Sequence, residues 1–204
     1  MIRSGITLIA ALAMLTTVLV WLADLTRERI ATNRQSGVAA GLRALLPPGS
    51  YDNALLADTL SIVSPGLLGT NRPVRIYRAR KQGRPVAAVV RPIAPDGYRG
   101  AIELLVAIAY DGTLIGVQVL YHNETPGLGD AFETREADWL EAFKGLSLEK
   151  PPQQRWTVRK EGGEFDAFTG ATITPRAIVK SVRRTLEFYR SNRERIFAEP
   201  STSD

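Results

Sequence analysis

The feature of this sequence that most constrains its fold is a stretch without charged residues near the amino terminus, residues 4–23. About 20 residues of α-helix span the hydrocarbon core of a bilayer, which is the length of this stretch. Trp21 lies near its end, where aromatic side chains meet lipid headgroups. The stretch therefore predicts a single N-terminal transmembrane helix, with residues 1–26 as a membrane anchor in contact with lipid.

A cleaved signal peptide is the alternative interpretation of this stretch. A signal peptide has an apolar region of about 7–15 residues that ends in a small-x-small cleavage site. The apolar stretch here is longer, and it continues through Trp21 and Leu22 to Asp24 without a convincing site of that kind. We therefore expect the segment to be retained.

The flanking charges bear on which side of the membrane the remaining chain occupies. Arg27, Arg29 and Arg34 follow the stretch, whereas Arg3 precedes it. The positive-inside rule favours a cytoplasmic domain, but long domains also translocate against that bias. The charges alone leave the side open.

The composition excludes several kinds of site. The 204 residues include no cysteine and one histidine, His122. Disulfides, thiolate nucleophiles, iron–sulfur clusters, cysteine-ligated zinc and multi-histidine metal sites are therefore excluded, and we expect no metal site. The net charge of +5 is modest and the basic residues are scattered, so no nucleic-acid partner is predicted.

The chain after the anchor is predicted to contain a sheet. Residues 27–50 are expected to form a membrane-proximal helix and linker, because helix-compatible residues end at a Pro-Pro-Gly sequence. Within a domain over residues 51–192, apolar alternation or runs predict strands at residues 74–80, 85–93, 102–110, 114–121 and 156–160. Asp111-Gly112 is typical of a hairpin turn, so the sheet should be mainly antiparallel. The strand at 114–121 should bury Ile115, Val117, Val119 and Tyr121.

Flanking helices complete a predicted α+β domain. Thr134 can cap a short helix that carries Trp139 and Phe143 on one side. The last helix is expected to open at Thr174-Pro175, with proline in its first turn. It should bury an apolar stripe made of Ile178, Val179, Val182, Leu186 and Tyr189. Residues 193–204 are predicted to be a tail, disordered from Glu199 onward.

The segment directly before the last helix is not an ordinary fold signal. It reads Asp-Ala-Phe-Thr-Gly-Ala-Thr at residues 166–172. Gly170 and Ala171 allow another molecule to approach the backbone. The helix amino terminus offers N–H donors and a positive dipole end to a phosphate. The segment therefore fits an anion site, although N-capping by Thr172 or Thr174 also explains it.

A second unusual segment follows the predicted strand at 114–121. It reads His-Asn-Glu-Thr-Pro-Gly-Leu-Gly-Asp at residues 122–130. Gly127 and Gly129 bracket Leu128, as in a loop that lies against a flat ligand. A Pro-Gly turn with solvated charges also explains this segment.

Together the two segments carry a family resemblance. Residues 166–172 resemble the flavinylation motif of the FMN-binding domain shared by RnfG and NqrC proteins, which reads Asp, a small residue, any residue, Ser or Thr, Gly, Ala, Thr. Residues 122–130 resemble the Glu-Thr-Pro-Gly-Leu-Gly loop of the same domain. Residues 45–53 and 97–102 are also similar to RnfG, and the similarity covers nearly the whole chain. The length of 204 residues is closer to RnfG than to the longer NqrC.

The resemblance implies a function for the chain. It would be a membrane-anchored subunit that relays electrons through FMN within an Rnf-type ion-translocating ferredoxin:NAD oxidoreductase, without catalytic residues of its own. The domain would lie on the periplasmic side of a bacterial inner membrane. Its partners would be the other subunits of the complex and, during maturation, a flavin transferase.

The resemblance also assigns roles to residues of both segments. The transferase would join the FMN phosphate to the Thr172 hydroxyl, so the chain would be a phosphoprotein with covalent flavin. Asp166 would serve transferase recognition, and the loop geometry would come from Thr169, Gly170 and Ala171. The second segment would lie against the flavin ring through Glu124, Thr125, Gly127, Leu128 and Gly129. Arg176 and Lys180 are near in sequence and could balance the phosphate charge.

Three alternative functions stay open. The chain could be an NqrC-like subunit of a sodium-translocating NADH:quinone reductase, or a non-redox membrane-tethered scaffold. A hydrolase with Thr172 as nucleophile would need an adjacent base that a third group orients. His122 is the only imidazole, and no sequence feature brings it to Thr172.

Overall fold

The computed structural model describes the backbone of residues 2–134 and 137–201. The chain divides into two compact units, Met1–Ala40 and Gly41–Asp204. Helix α1, Ile2–Leu45, forms the described part of the first unit and contributes its last residues to the second. Over the residues that the structure describes, no helix combines the length and the apolar character needed to cross a membrane.

The second unit is built on one six-stranded sheet. Its strands are β1 (Thr59–Ile62), β2 (Val74–Lys81), β3 (Arg84–Val90), β4 (Ile93–Ala94), β5 (Ile102–Ala109) and β6 (Leu114–Tyr121). The strand order is β1-β2-β3-β5-β4, and β6 also pairs with β5. Each of the five pairings is antiparallel. The predicted antiparallel sheet with helices is confirmed.

The helices of the second unit lie mainly in its carboxyl-terminal half. They are α2 (Pro65–Leu68), α3 (Ala131–Thr134) and α4 (Ile173–Ala198), with 3₁₀ turns at Ala137–Phe143, Gln153–Arg155 and Arg159–Glu161. Helix α4 contacts β2, β4 and β5. The predicted stripe is buried there at each of its five positions, Ile178, Val179, Val182, Leu186 and Tyr189. Pro175 stands in the first turn of α4, as predicted.

The end of α1 packs against the other face of the sheet. Leu105 points away from the α4 side, because successive strand residues alternate between faces and Leu104 belongs to the core on the α4 side. A Cβ atom added at Gly41 would lie 2.7 Å from Leu105 Cδ1. A Cβ atom added at Gly116 would lie 2.9 Å from Leu45 Cδ2. Because Gly41 and Gly116 have no side chains, the end of α1 can approach the sheet closely.

This close approach predicts opposite effects for two glycines of α1. Gly41→Ala should destabilise the second unit by about 1–3 kcal/mol, because the added methyl group overpacks a filled interface. Gly37→Ala is the matched control, since a Cβ atom there meets nothing within 4 Å and alanine favours helix. Urea unfolding followed by tryptophan fluorescence measures both. Equal midpoints for the two variants would contradict the packing.

The prediction of a strand at residues 156–160 is wrong. Residues 156 and 157 form a bend, Val158 makes a single bridge to Phe165, and a 3₁₀ turn, Arg159–Glu161, begins directly after it. Trp156 and Val158 are buried at alternate positions, which is why the pattern resembles a strand. Trp156 packs instead in an aromatic cluster with Phe143 and Phe165.

The predicted disorder after residue 198 does not apply to Glu199 and Ser201. The Arg78 guanidinium, 2% exposed, donates to the backbone oxygen of Glu199 at 2.5 Å and to Ser201 Oγ at 2.8 Å. Arg78 also pairs with Asp58, so its charge is balanced where it is buried. Residues 202–204 lie outside the described part of the chain.

Candidate functional site

The two unusual sequence segments meet at one open cleft of about 180 Å³. Residues from three parts of the chain line it: Tyr98, Glu124, Thr125, Leu128, Gly129, Gly170, Ala171, Thr172, Ile173 and Thr174. The two segments are separated by more than 30 residues of sequence, so the fold brings them together. Of the nine residues predicted to bind the cofactor, Gly127 and Thr169 are not among these lining residues.

The loop after β6 forms one wall of the cleft. The backbone N–H groups of Leu128 and Gly129 both donate to the Thr125 oxygen, which closes a tight turn. A Cβ atom added at Gly129 would lie 2.8 Å from Glu124 Oε2 and 3.2 Å from Thr174 Oγ1. Only glycine fits at this position without moving its neighbours.

The loop that ends at Thr172 forms the opposite wall. Gly170 has a φ of +83°, a conformation that L side chains rarely adopt. A Cβ atom added there would lie 3.2 Å from Leu128 Cδ2, so the two loops come into close contact. Glycine at 170 thus allows both the backbone turn and the close contact between the two loops.

Neither threonine at the start of α4 acts as a cap. Thr172 is in the N-cap position, but its backbone is in the right-handed helical region and its side chain makes no capping hydrogen bond. The Thr174 hydroxyl donates to Glu124 Oε2 at 2.6 Å. Simple N-capping, the alternative explanation of this segment, therefore does not account for either hydroxyl.

One lysine lies beside the Thr172 hydroxyl. Lys160 Nζ is 3.5 Å from Thr172 Oγ1. The two cations proposed from sequence point elsewhere: Lys180 binds Asp96 at 2.5 Å, and Arg176 pairs with Glu161. Sequence reasoning missed Lys160 because it is 12 residues from Thr172 and no local pattern joins the two.

The acidic partners of those two cations remain ionised. The hydrogen bond from Lys180 lowers the pKa of Asp96. Hydrogen bonds from Thr157 and Arg176 lower the pKa of Glu161. Because both carboxylates hold their charge, Lys180 and Arg176 stay neutralised by them.

Comparison with known proteins assigns the family. The sequence model of the FMN-binding domain matches residues 97–187, which include both cleft loops. A relative from Vibrio vulnificus is 43% identical over 97% of this chain and 93% of its own length. One from Pseudoalteromonas atlantica is 47% identical over 85% of this chain and 80% of its own. Both are named as the G subunit of an ion-translocating oxidoreductase complex.

The chain belongs to the RnfG family. A third member, from Pseudomonas aeruginosa, is 46% identical over 85% of this chain and 81% of its own length. The resemblance drawn from the two sequence motifs is confirmed at the level of the family and its FMN-binding domain.

The cleft of this RnfG family member fits the two chemical parts of FMN. Beside Thr172, the Ile173 and Thr174 N–H groups at the start of α4 have no acceptor within the helix, and with the Lys160 ammonium they suit a phosphate. Around the rim of the cleft, Tyr98, Leu128 and Ile173 are exposed apolar side chains. An exposed apolar rim is the surface that a flat aromatic ring would cover.

Two residues of the cleft had no role in the sequence analysis. Tyr98 is 66% exposed beside the cleft. It lies in the stretch similar to the family, at residues 97–102, but nothing in that stretch indicated a role. Ile173 lines the cleft from the first position of α4, where an apolar residue is ordinarily read as helix core.

Asp166 stands apart from the cleft. Its carboxylate pairs with Arg159 at 3.0 Å on the surface, and its backbone oxygen accepts a hydrogen bond from the Trp139 indole at 2.9 Å. The bond from Trp139 fixes the start of the loop to the aromatic cluster, because Trp139 packs edge-on against Phe143 of that cluster. Among the described residues, no group of three or more acidic or histidine side chains is placed to hold a metal ion.

Proposed function

We propose that this chain relays electrons within an Rnf-type ion-translocating ferredoxin:NAD oxidoreductase, through FMN joined by a phosphoester to Thr172. One observation carries the proposal. Both motif segments line the same cleft, and the Thr172 hydroxyl lies there with no capping role. Membership of the RnfG family and the FMN-binding match support it. Bound FMN supplies a group that accepts electrons and passes them on.

The residues around Thr172 would hold the phosphate. Gly170 and Ala171 present backbone without bulky side chains, so the ester can lie close to the chain. The Lys160 ammonium, 3.5 Å from the hydroxyl, would balance the remaining negative charge. Thr169 would support the loop, and the exposed Asp166 would be read by the flavin transferase.

The loop after β6 would orient the ring. Thr125, Leu128 and Gly129 line the cleft, and Leu128 with Tyr98 offers apolar contact to a flat ligand. Gly127 does not line the cleft but holds the turn, since its N–H donates to Asp130 Oδ1 at 2.7 Å. Glu124 also lines the cleft but is only 4% exposed, so it would act on the ring mainly through the residues that it binds.

The loop assignment predicts different results at its two glycines. Gly129→Val should leave part of the flavin attached but shift its absorption spectrum or potential, because the new side chain pushes into Glu124 and Thr174. Gly127→Val adds atoms where nothing lies within 4 Å. It should lower stability only by the backbone strain of a φ of +78° and should change the flavin less than Gly129→Val does. Visible spectroscopy and redox titration compare them. Identical flavin in wild type and Gly129→Val would reduce the loop to a simple turn.

The proposal extends to the domain organisation. Residues 1–26 would anchor the chain to a bacterial inner membrane and residues 27–50 would connect. The domain from residue 51 onward would carry the flavin on the periplasmic side, and it includes the part of the predicted tail in which α4 continues to Ala198. The uncharged stretch at residues 4–23 supports the anchor, and exposed apolar residues such as Leu12, Leu19 and Leu25 on α1 are compatible with lipid contact.

Topology has a direct measurement. A reporter enzyme that is active only in the periplasm should be active when it is fused after Asp204. A matched fusion of a cytoplasm-specific reporter should be silent. Cytoplasmic activity would overturn the periplasmic assignment, and a mature amino terminus near residue 24 would overturn the retained anchor.

Co-purification of partner subunits tests the proposed function as a whole. The tagged chain, purified in mild detergent from its own host, should bring the other subunits of an Rnf complex with it and should be yellow. Subunits of a sodium-translocating quinone reductase would support the NqrC-like alternative instead. A colourless chain that brings neither set of subunits would support the scaffold.

A further inference from the structure

A buried carboxylate joins the three chain segments that line the cleft. Glu124 is 4% exposed. Its Oε2 accepts a hydrogen bond from the Thr174 hydroxyl at 2.6 Å, and its Oε1 accepts one from the Arg99 backbone N–H at 3.1 Å. Glu124 lies in the loop after β6, Thr174 in the first turn of α4, and Arg99 in the turn before β5. One side chain therefore connects all three segments.

Close packing holds this carboxylate in place. A Cβ atom added at Gly97 would lie 3.0 Å from Glu124 Oε1, and one added at Gly129 would lie 2.8 Å from Oε2. The space on both sides is occupied by backbone, so the carboxylate cannot turn away from its two donors. On the main-chain side, the Glu124 N–H donates to His122 Nδ1 at 3.1 Å.

The hydrogen bond from the Thr174 hydroxyl to Glu124, at 2.6 Å, has the length of a strong bond, and the bond from the Arg99 N–H, at 3.1 Å, has an ordinary length. A bond from a neutral donor to an ionised carboxylate is shorter and stronger than one between neutral groups. A carboxylate buried without its donors would also be strongly disfavoured. Loss of either donor should therefore loosen the segment that carries it, and the first turn of a helix is otherwise prone to fraying.

We propose that Glu124 is a positioning residue that fixes the first turn of α4, and with it the Thr172 hydroxyl, before any flavin is attached. This inference rests on the proposed function. Thr174 follows Thr172 by two residues, so fixing Thr174 sets the direction in which Thr172 points. Because both oxygens of Glu124 are engaged by Thr174 and Arg99, the carboxylate acts on the flavin site through them.

Thr174→Val tests the contact with little change in shape, because valine replaces the hydroxyl by a methyl group. Thr174→Ser keeps the hydroxyl and should restore the wild-type result. Thr185→Val is the matched control: Thr185 is also fully buried on α4, and its hydroxyl donates to the Ser181 oxygen at 2.8 Å, away from the cleft. Any general effect of a threonine-to-valine change in this helix should appear in that control.

The first readout does not require flavin. The full chain, made without a flavin transferase, is compared by hydrogen exchange and mass spectrometry in detergent. Thr174→Val should speed exchange of residues 170–176 and 124–129 about tenfold or more, the effect of losing one charge-assisted hydrogen bond. Thr174→Ser and Thr185→Val should exchange as wild type in these segments. Equal exchange in Thr174→Val and Thr185→Val would overturn the proposal.

The second readout is made with the transferase present. Thr174→Val should carry several-fold less covalent flavin than Thr185→Val, and the anisotropy of its flavin fluorescence should be lower because the attachment point moves. If Thr174→Val does not accumulate as folded protein, Glu124→Gln replaces it, because glutamine keeps the size but not the two charged acceptors. Wild-type exchange and wild-type flavin in Glu124→Gln would then overturn the positioning role.

The two readouts separate this inference from the proposed function. A wild-type chain without flavin would contradict the proposed function, while exchange in the unmodified chain would still judge Glu124. A wild-type chain with flavin, together with unchanged exchange in Thr174→Val, would contradict only the role of Glu124.

Discussion

Thr172→Ala is expected to abolish covalent flavin on this protein. Alanine has no hydroxyl, so no ester can form at this position, whereas the cleft around it would be nearly unchanged. The chain is co-expressed with its flavin transferase, denatured in SDS and examined for flavin fluorescence on the gel band. Noncovalent flavin is lost in SDS, so the band reports the covalent bond alone.

Two variants make this result specific. Thr172→Ser keeps a hydroxyl and should retain at least part of the fluorescence. Thr169→Ala removes the other hydroxyl of the same loop, which does not line the cleft, and should keep more flavin than Thr172→Ala. A fluorescent Thr172→Ala band would show that the flavin is attached elsewhere.

Arg78→Met is expected to have the largest effect on stability, a loss of about 3–5 kcal/mol, as for other buried ion pairs that lose one partner. The Arg78 guanidinium binds Asp58, the Ile196 oxygen at 3.0 Å and the Glu199 oxygen at 2.5 Å. Methionine fills similar space but leaves these acceptors without that donor. The end of α4 should then detach from β2.

Chemical denaturation measures the loss. Arg84→Met, at an exposed position on the neighbouring strand β3, should change the free energy of unfolding by less than about 0.5 kcal/mol. We call Arg78 and its partners Asp58, Ile196 and Glu199 the Arg78 cluster. If both arginine variants unfold at the same urea concentration, this cluster does not stabilise the fold.

The stability that the Arg78 cluster contributes should also depend on pH. Burial alone would raise the pKa of Asp58, but the hydrogen bond from Arg80 and the charge and hydrogen bond of Arg78 outweigh it, so the pKa is lowered. A lowered pKa gives stability that is present above the unfolded value of 3.8 and lost as pH falls through the folded value. The difference in stability between wild type and Arg78→Met should therefore narrow in acid.

Sequence patterns predicted most of the sheet and the last helix. Strands β2, β3 and β5 were predicted from apolar alternation or apolar runs, and they are buried on both faces over most of their length. The stripe on α4 was predicted because its apolar residues repeat with the period of a helix. The pattern failed on β6, where Ile115, Val117, Val119 and Tyr121 were expected inside. Leu114 and Val117 are the buried residues of this strand, and Tyr121 is 44% exposed. The pairing of β5 with β6 has two register shifts, which break the alternation.

The cleft could be predicted in part. The two loops were found from their small residues and family resemblance, but their meeting is a result of the fold. Tyr98 lines the cleft and Lys160 lies beside Thr172, but both come from other parts of the chain, and nothing in their own sequence neighbourhoods links them to the two loops. Glu124 was expected to face the flavin ring, yet its role as an acceptor for Thr174 depends on a contact 50 residues apart.

The most direct measurement of the central claim is the intact mass of the purified wild-type protein, made with its flavin transferase. We expect the mass of the chain plus one FMN less one water, with the added mass on a peptide that contains Thr172. The Thr172→Ala chain should show its unmodified mass. A wild-type chain without the added mass, or with the flavin on another residue, would contradict the covalent attachment at Thr172.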